Sequence, residues 1–163
     1  MRLFLLRCAE AAEGKKDAQR KLTAEGIATL TKLSNFLSRK ELNEISEIRH
    51  SPLTRAKQTA KQFKKLSAIK AKTREALLLE PLADFRILAD FLESSDETLL
   101  LVGHQDQLGC LGSYLLTRES DATMLDLKPG GMACLKSGKA PNGPSLTGHP
   151  WKLVWQIKPK MLS

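Results

Sequence analysis

The chain has 163 residues, 42% hydrophobic and 27% charged, with a formal net charge of +8. This length suits one domain with a substantial core, and the longest apolar runs, Leu3–Leu6 and Leu99–Val102, fall far short of the roughly 20 residues that span a bilayer. Three cysteines without a CxxC spacing and three widely separated histidines exclude a disulfide framework and the common zinc signatures.

The N-terminus lacks the charged leader, long apolar stretch and cleavage site of a secretory signal, so the cytoplasm is the expected location. The positive charge raises the question of nucleic acid. However, the lysines are scattered, and aromatics, 5% of the chain, do not interleave with them as stacking platforms would. Solvated helix faces account for the charge, and neither nucleic acid nor a membrane is an expected partner.

In chain order, Leu3-Phe4-Leu5-Leu6, closed by Arg7, predicts a buried parallel strand. Ligands of open α/β sheets gather beyond the carboxyl ends of the strands, so Arg7 and the following Cys8 to Ala11 stand where an anion would be met. Glu13 to Lys21 is polar and predicts a loop without an element. Thr23 suits the N-cap of a helix running to about Arg39, with Ile27, Leu30, Leu33, Phe36 and Leu37 on one face. Glu44–Arg49 predicts a short strand, broken by His50-Ser51-Pro52. Pro52 favours the first turn of a helix from Leu53 to about Ser67. Arg55 then falls in that first turn, where side chain and helix N-terminus address the same anion.

A strand over Lys72–Ala76, a loop through Glu80-Pro81 and a helix from about Asp84 to Glu93 follow. Thr98–Val102 is the clearest buried strand, closed by Gly103-His104, and Gln105–Leu116 resumes helical spacing. Met124–Lys128 alternates, Pro129-Gly130-Gly131 turns and Met132–Leu135 is extended, which predicts a hairpin. Lys136–Pro150 predicts a loop, and Trp151–Ile157 a last strand with Trp151 and Trp155 packing on one face. The whole predicts a single-domain α/β fold over residues 1–163, a mixed sheet flanked by helices on both faces.

Three strand-to-helix junctions thus present Arg7, the Ser51–Arg55 turn and His104. Two guanidiniums offer forked donors to phosphate oxygens, and an imidazole donates, accepts or adds charge. Singly, each has a plain structural reading, the arginines as surface ion-pair partners and His104 as a loop residue; three equivalent positions favour a phosphate site. Around them, Glu10 is placed either to orient Arg7 or to be solvated. Glu80 and Asp84 precede a helix near the pocket, as proton donors or as structural residues. Cys110 and Cys134 read as core, and His149 as exposed.

Leu3–Ala11, Leu22–Gly26, Ser51–Ala60 and Leu101–Gln105 resemble, in that order, the histidine phosphatase superfamily, and more narrowly its small SixA-type phosphohistidine phosphatases. Lys128–Leu135 and Trp151–Leu162, with Pro159, also look like that branch. The resemblance implies the phosphoglycerate mutase-like fold and hydrolysis of phosphohistidine on proteins, or of a phosphomonoester, without metal or organic cofactor. It implies that Arg7, Arg55 and His104 bind the phosphate while a histidine following the first arginine attacks it. The small chain leaves little for a lid, which implies a pocket open to a protein-borne phosphate.

This sequence has Cys8 where that histidine is expected. Three readings follow. Cys8 disarms the chemistry and leaves a phosphate binder; or Cys8 attacks as a thiolate favoured by Arg7 and Arg55; or His50, near the pocket mouth, takes over. As a plain structural residue, Cys8 is a small buried side chain, which predicts the same low activity as the first reading. The rival function is a non-enzymatic phosphate or phosphoprotein sensor; a nucleic-acid binder driven by the +8 charge is a further one.

Overall fold

The apolar run at the N-terminus becomes the middle of the sheet because it is apolar on both of its faces. In the computed structural model, which describes residues 1–138 and 151–163, Leu3, Phe4, Leu5 and Leu6 are all fully buried. They form β1 (Arg2–Arg7), followed by β2 (Glu47–His50), β3 (Lys72–Glu75), β4 (Leu99–Gly103), β5 (Met132–Ser137) and β6 (Trp151–Ile157). The six strands form one sheet in the order β3-β2-β4-β1-β5-β6. The first four are parallel; β5 runs antiparallel to β1, and β6 antiparallel to β5.

Two layers of helices cover the sheet. Phe4 and Leu6 face α1 (Ala24–Phe36) and, beyond the single turn α2 (Arg39–Leu42), α3 (Thr54–Ser67), packing with Leu30, Leu33, Ala60 and Phe63. Leu3 and Leu5 point the other way, to α4 (Phe85–Glu93) and α5 (Gln105–Thr117), and pack with Leu88, Leu92, Leu108 and Leu111. Each such side chain, fully buried, contributes about 1.5–3 kcal/mol. The mixed sheet with helices on both faces is as expected.

The strand register sets up the site. Arg7 lies opposite Gly103, and His50 opposite Val102, so β1, β4 and β2 end at one level. Two further bonds extend the ladders one residue: the Cys8 amide donates to the Gly103 carbonyl at 2.8 Å and the Ser51 amide to the Val102 carbonyl at 3.0 Å. Cys8, His104 and Ser51 therefore leave the same edge side by side.

Several expectations are corrected. Met124–Lys128 is not a strand and makes no hairpin with Met132–Leu135. Its alternation arises because Leu125 and Leu127 are buried while their amides bond side chains of α5, Ser113 Oγ at 2.9 Å and Gln105 Oε1 at 2.7 Å. Met132–Leu135 instead pairs with β1 and β6. Trp151 and Trp155 pack on opposite faces, not one. An extra residue between Leu153 and Trp155 shifts the register against Cys134-Leu135, sending Trp151 toward Leu3 and Leu5 and Trp155 onto the Phe4 ring, 6.0 Å between centroids.

Helix α1 stops at Phe36, which is 66% exposed although it keeps the helical period. Pro52 lies before Leu53, the N-cap of α3, and not in its first turn. Lys136 and Ser137 belong to β5 rather than to a loop, and residues 139–150, with His149, lie outside the described residues. Finally, the Glu13–Lys21 segment does contain an element, a 3-10 turn at Asp17–Gln19.

Candidate active site

The aligned strand ends open into a cavity of about 640 Å³ whose lining includes Arg7, Cys8, Arg55 and His104. Its floor is held by backbone bonds. The Arg7 amide donates to Gly131, and the Gly130 amide reaches the carbonyls of Arg7 and Cys8, both at 3.2 Å. Gly130 makes this turn at φ +73°, where a side chain is strained and a Cβ would press on Thr29. Arg7 Nη1 donates to the Leu127 carbonyl at 2.8 Å, which ties the irregular segment to the cavity.

Thr59 couples α3 to the chain after Cys8. Its hydroxyl donates to the Arg55 carbonyl at 2.7 Å and accepts from the Ala9 amide at 3.1 Å. His104 is the N-cap residue of α5 and only 8% exposed. Its Nε2 lies 2.8 Å from Oγ of the fully buried Ser51, and its Nδ1 3.9 Å from Cys8 Sγ.

Burial dominates the titration of both uncharged groups. It pushes the Cys8 thiol up to about 12, outweighing the opposing pull of Arg55 and Arg7. It pushes His104 down to about 4, and here Arg55 and Arg7 act in the same direction. Near neutral pH the cavity therefore sets two guanidiniums against a protonated thiol and a neutral imidazole, an arrangement that attracts anions.

Carboxylates partly offset that charge: Glu10, Glu13 and Asp106 line the cavity, and Asp17 pairs with Arg55. Arg55 donates through Nη1 to the Asp17 carbonyl at 2.9 Å and through Nη2 to Asp17 Oδ2 at 3.2 Å. Arg20, which also lines the cavity, donates to Asp17 Oδ1 at 3.2 Å. Burial acts to raise the Asp17 carboxyl, but the bonds from Arg20 and Arg55 outweigh it and hold it below the usual carboxylate range.

Of the residues singled out in the sequence, Arg7, Cys8, Arg55 and His104 meet at this cavity. His50 does not stand at its mouth: it is buried, and its Nδ1 donates to the Ser51 carbonyl at 2.8 Å. Glu10 lines the cavity, but its carboxylate accepts from Thr23 Oγ1 at 2.8 Å rather than from Arg7. Asp84 caps α4, accepting from the Arg86 amide at 2.9 Å and pairing with its guanidinium. Glu80 is exposed next to Pro81, which lines the cavity. Cys134 is core, whereas Cys110 is only half-buried.

Arg20, Asp17 and the pairing of Ser51 with His104 were not legible from sequence. The first two sit in a segment without periodicity, and the Asp17–Arg55 and Ser51–His104 contacts span 38 and 53 residues. Among the described residues, no group of three or more His, Cys, Asp and Glu side chains is gathered to hold a metal ion. No helix there is long and apolar enough to cross a membrane.

The family model for the histidine phosphatase superfamily (branch 1) matches residues 3–78, from β1 through β3. No curated protein sequence matches the chain significantly. In structure it is similar to the protein histidine phosphatase SixA complexed with tungstate, with TM-score 0.82, 20% identity and 99% of each chain covered. It is similar to a candidate SixA phosphohistidine phosphatase from Nakamurella multipartitia (TM-score 0.73, 21% identity, 97% of this chain and 95% of that one). A mutant phosphoserine phosphatase from Entamoeba histolytica in complex with phosphoserine also shares the fold (TM-score 0.66, 15% identity, 99% of each chain). The superfamily's sequence pattern thus covers the strand-and-arginine half of the chain, and the fold of these structures covers nearly all of its length.

Proposed function

We propose that the chain is a single SixA-like domain that binds a phosphoryl group, borne by a protein or a small molecule, and that Cys8 leaves it with little or no turnover. Arg7 and Arg55 hold the phosphoryl oxygens with forked donors, neutral His104 bonds another oxygen, and Cys8 Sγ lies beneath the phosphorus. The observation that carries this reading is the Cys8 thiol, 5% exposed at the family's nucleophile position and held protonated by its burial.

Hydrolysis through Cys8 would need Sγ to lose its proton, form a bond to phosphorus and expel the leaving group. The nearest base is His104 Nδ1, 3.9 Å away. Moving a proton from a thiol near 12 to an imidazole near 4 costs roughly 10 kcal/mol before any bond to phosphorus forms. The same pocket with an imidazole at residue 8 needs no such transfer.

The test compares the chain with Cys8→His for phosphate binding and for hydrolysis of a generic phosphomonoester and a phosphohistidine protein. The expected result is that both bind inorganic phosphate and only the variant turns over. Activity in the original chain that is lost in Cys8→Ser would overturn the disarmed nucleophile. Failure of both proteins to bind phosphate would overturn the whole reading.

A further inference from the structure

The chain between β1 and α1 leaves the body of the fold at the bridge between Ala11 and Leu22. Its 3-10 turn at Asp17–Gln19 buries no residue. What ties this turn to α3 is Asp17, whose carbonyl and carboxylate both accept from Arg55. The other carboxylate oxygen accepts from Arg20. Arg20 is aimed at this point by two further bonds, Nε to the Ala12 carbonyl at 2.9 Å and Nη2 to the Ala11 carbonyl at 3.2 Å.

A carboxylate with one oxygen on each of two guanidiniums is the arrangement that an anionic group of a ligand would make at this place. Both arginines line the phosphoryl cavity, and an adjoining cavity of about 490 Å³, lined by Lys15, Lys16 and Lys21, shares Arg20 with it. The Asp17 side chain is 62% exposed. Arg55, by contrast, is 13% exposed, so the carboxylate is the half of the pair that solvent reaches, and the turn that carries it buries no residue; an incoming anion exchanges for Asp17 from that open side.

We propose that Arg20 and Arg55 form a second anion subsite beside the phosphoryl cavity, closed at rest by Asp17. The chain thereby selects a phosphoryl ligand that carries a second anionic group, a carboxylate or another phosphate, close to the first. This rests on the phosphoryl-binding reading above and narrows it: the shared Arg55 bridges the two groups, and Arg20 reads the second. Asp17 acts as an internal stand-in for it.

Calorimetric titration with inorganic phosphate, O-phosphoethanolamine and O-phosphoserine tests this, since the last two differ by one carboxylate. The original chain should prefer phosphoserine by about tenfold, the scale of one charge-assisted pair. Asp17→Asn should tighten phosphoserine severalfold, and Arg20→Gln should erase the preference. Because Arg20 also braces the loop, Arg20→Lys is the companion variant, keeping the charge without the fork and retaining part of the preference.

An acidic phosphoserine peptide against its amide-substituted counterpart separates the sources. A preference shown only by the peptide assigns the subsite to a protein ligand; one shown by phosphoserine too makes a small molecule sufficient. Equal affinity for both members of both pairs, in the original chain and in Asp17→Asn, overturns the subsite. So does weaker phosphoserine binding by Asp17→Asn, which would make Asp17 a brace for Arg55. If inorganic phosphate binds none of these proteins, it is the phosphoryl-binding reading that has failed.

Discussion

Alkylation of Cys8 reads the state of the thiol directly. Burial moves it from an ordinary 9.0 to about 12, so at any pH below 9 the native protein holds about a thousandfold less thiolate than the unfolded chain. Iodoacetamide reacts with the thiolate, and the sulfur is nearly inaccessible besides, so a thousandfold slowing is a lower bound. The pH profile is equally diagnostic. The native rate should climb about tenfold per pH unit up to about 12, whereas the unfolded rate levels off above about 9.

Rates of modification, site by site from peptide mass spectrometry, in native buffer and in concentrated guanidinium, provide the measurement. Cys134, buried and pushed up to about 11, should be protected in the same way, while half-buried Cys110 serves as the reactive internal control. Escape through global unfolding is small, since a stability of about 5 kcal/mol holds the unfolded fraction below roughly one in a thousand. Modification of native Cys8 within tenfold of its unfolded rate at neutral pH would refute the argument. It would mean that Arg7 and Arg55 win over burial and that thiolate attack is available.

His104 should make the protein less stable in mild acid. Its native value of about 4 lies below the ordinary 6.5, so the unfolded chain takes up a proton between these values while the native one does not. The contribution, about 3 kcal/mol, is complete above pH about 6.5 and is lost as pH falls toward about 4. Denaturation midpoints across that window should show it, and His104→Gln should flatten the dependence; an unchanged slope would place the cause elsewhere. Gly26→Ala should destabilise by about 1–3 kcal/mol, because the new Cβ would collide with the Glu10 backbone carbonyl that α1 packs beneath. A thermal melt with no shift would show that the segment after Cys8 yields freely.

Local chemistry made much of this protein legible. The unbroken run Leu3–Leu6 read as a strand covered on both faces, Thr23 capped α1 as its type and place required, accepting from the Gly26 amide, and Asp84 began α4. The positions of Arg7 at the end of β1, Arg55 in the first turn of α3 and His104 just past β4 followed from the same alternation, because parallel strands joined by helices bring their carboxyl ends to one edge. The misreadings arose where period-2 alternation came from something other than a ladder. Leu125 and Leu127 alternate because α5 side chains take their amides, and one extra residue in β6 turned the two tryptophans to opposite faces.

The electrostatic state of the site belongs to the tertiary structure alone. Nothing beside Cys8 in the sequence tells whether two arginines or burial governs its thiol, since that balance depends on how deeply β1 is sunk between two helical layers. Nor does any spacing connect Asp17 with Arg55, the cavity-lining arginine that it pairs with. Sequence determined which groups stand at the strand ends, because that follows from neighbours along the chain. Which of them are charged, and which are already occupied, was decided by desolvation and by partners brought together from distant parts of the chain.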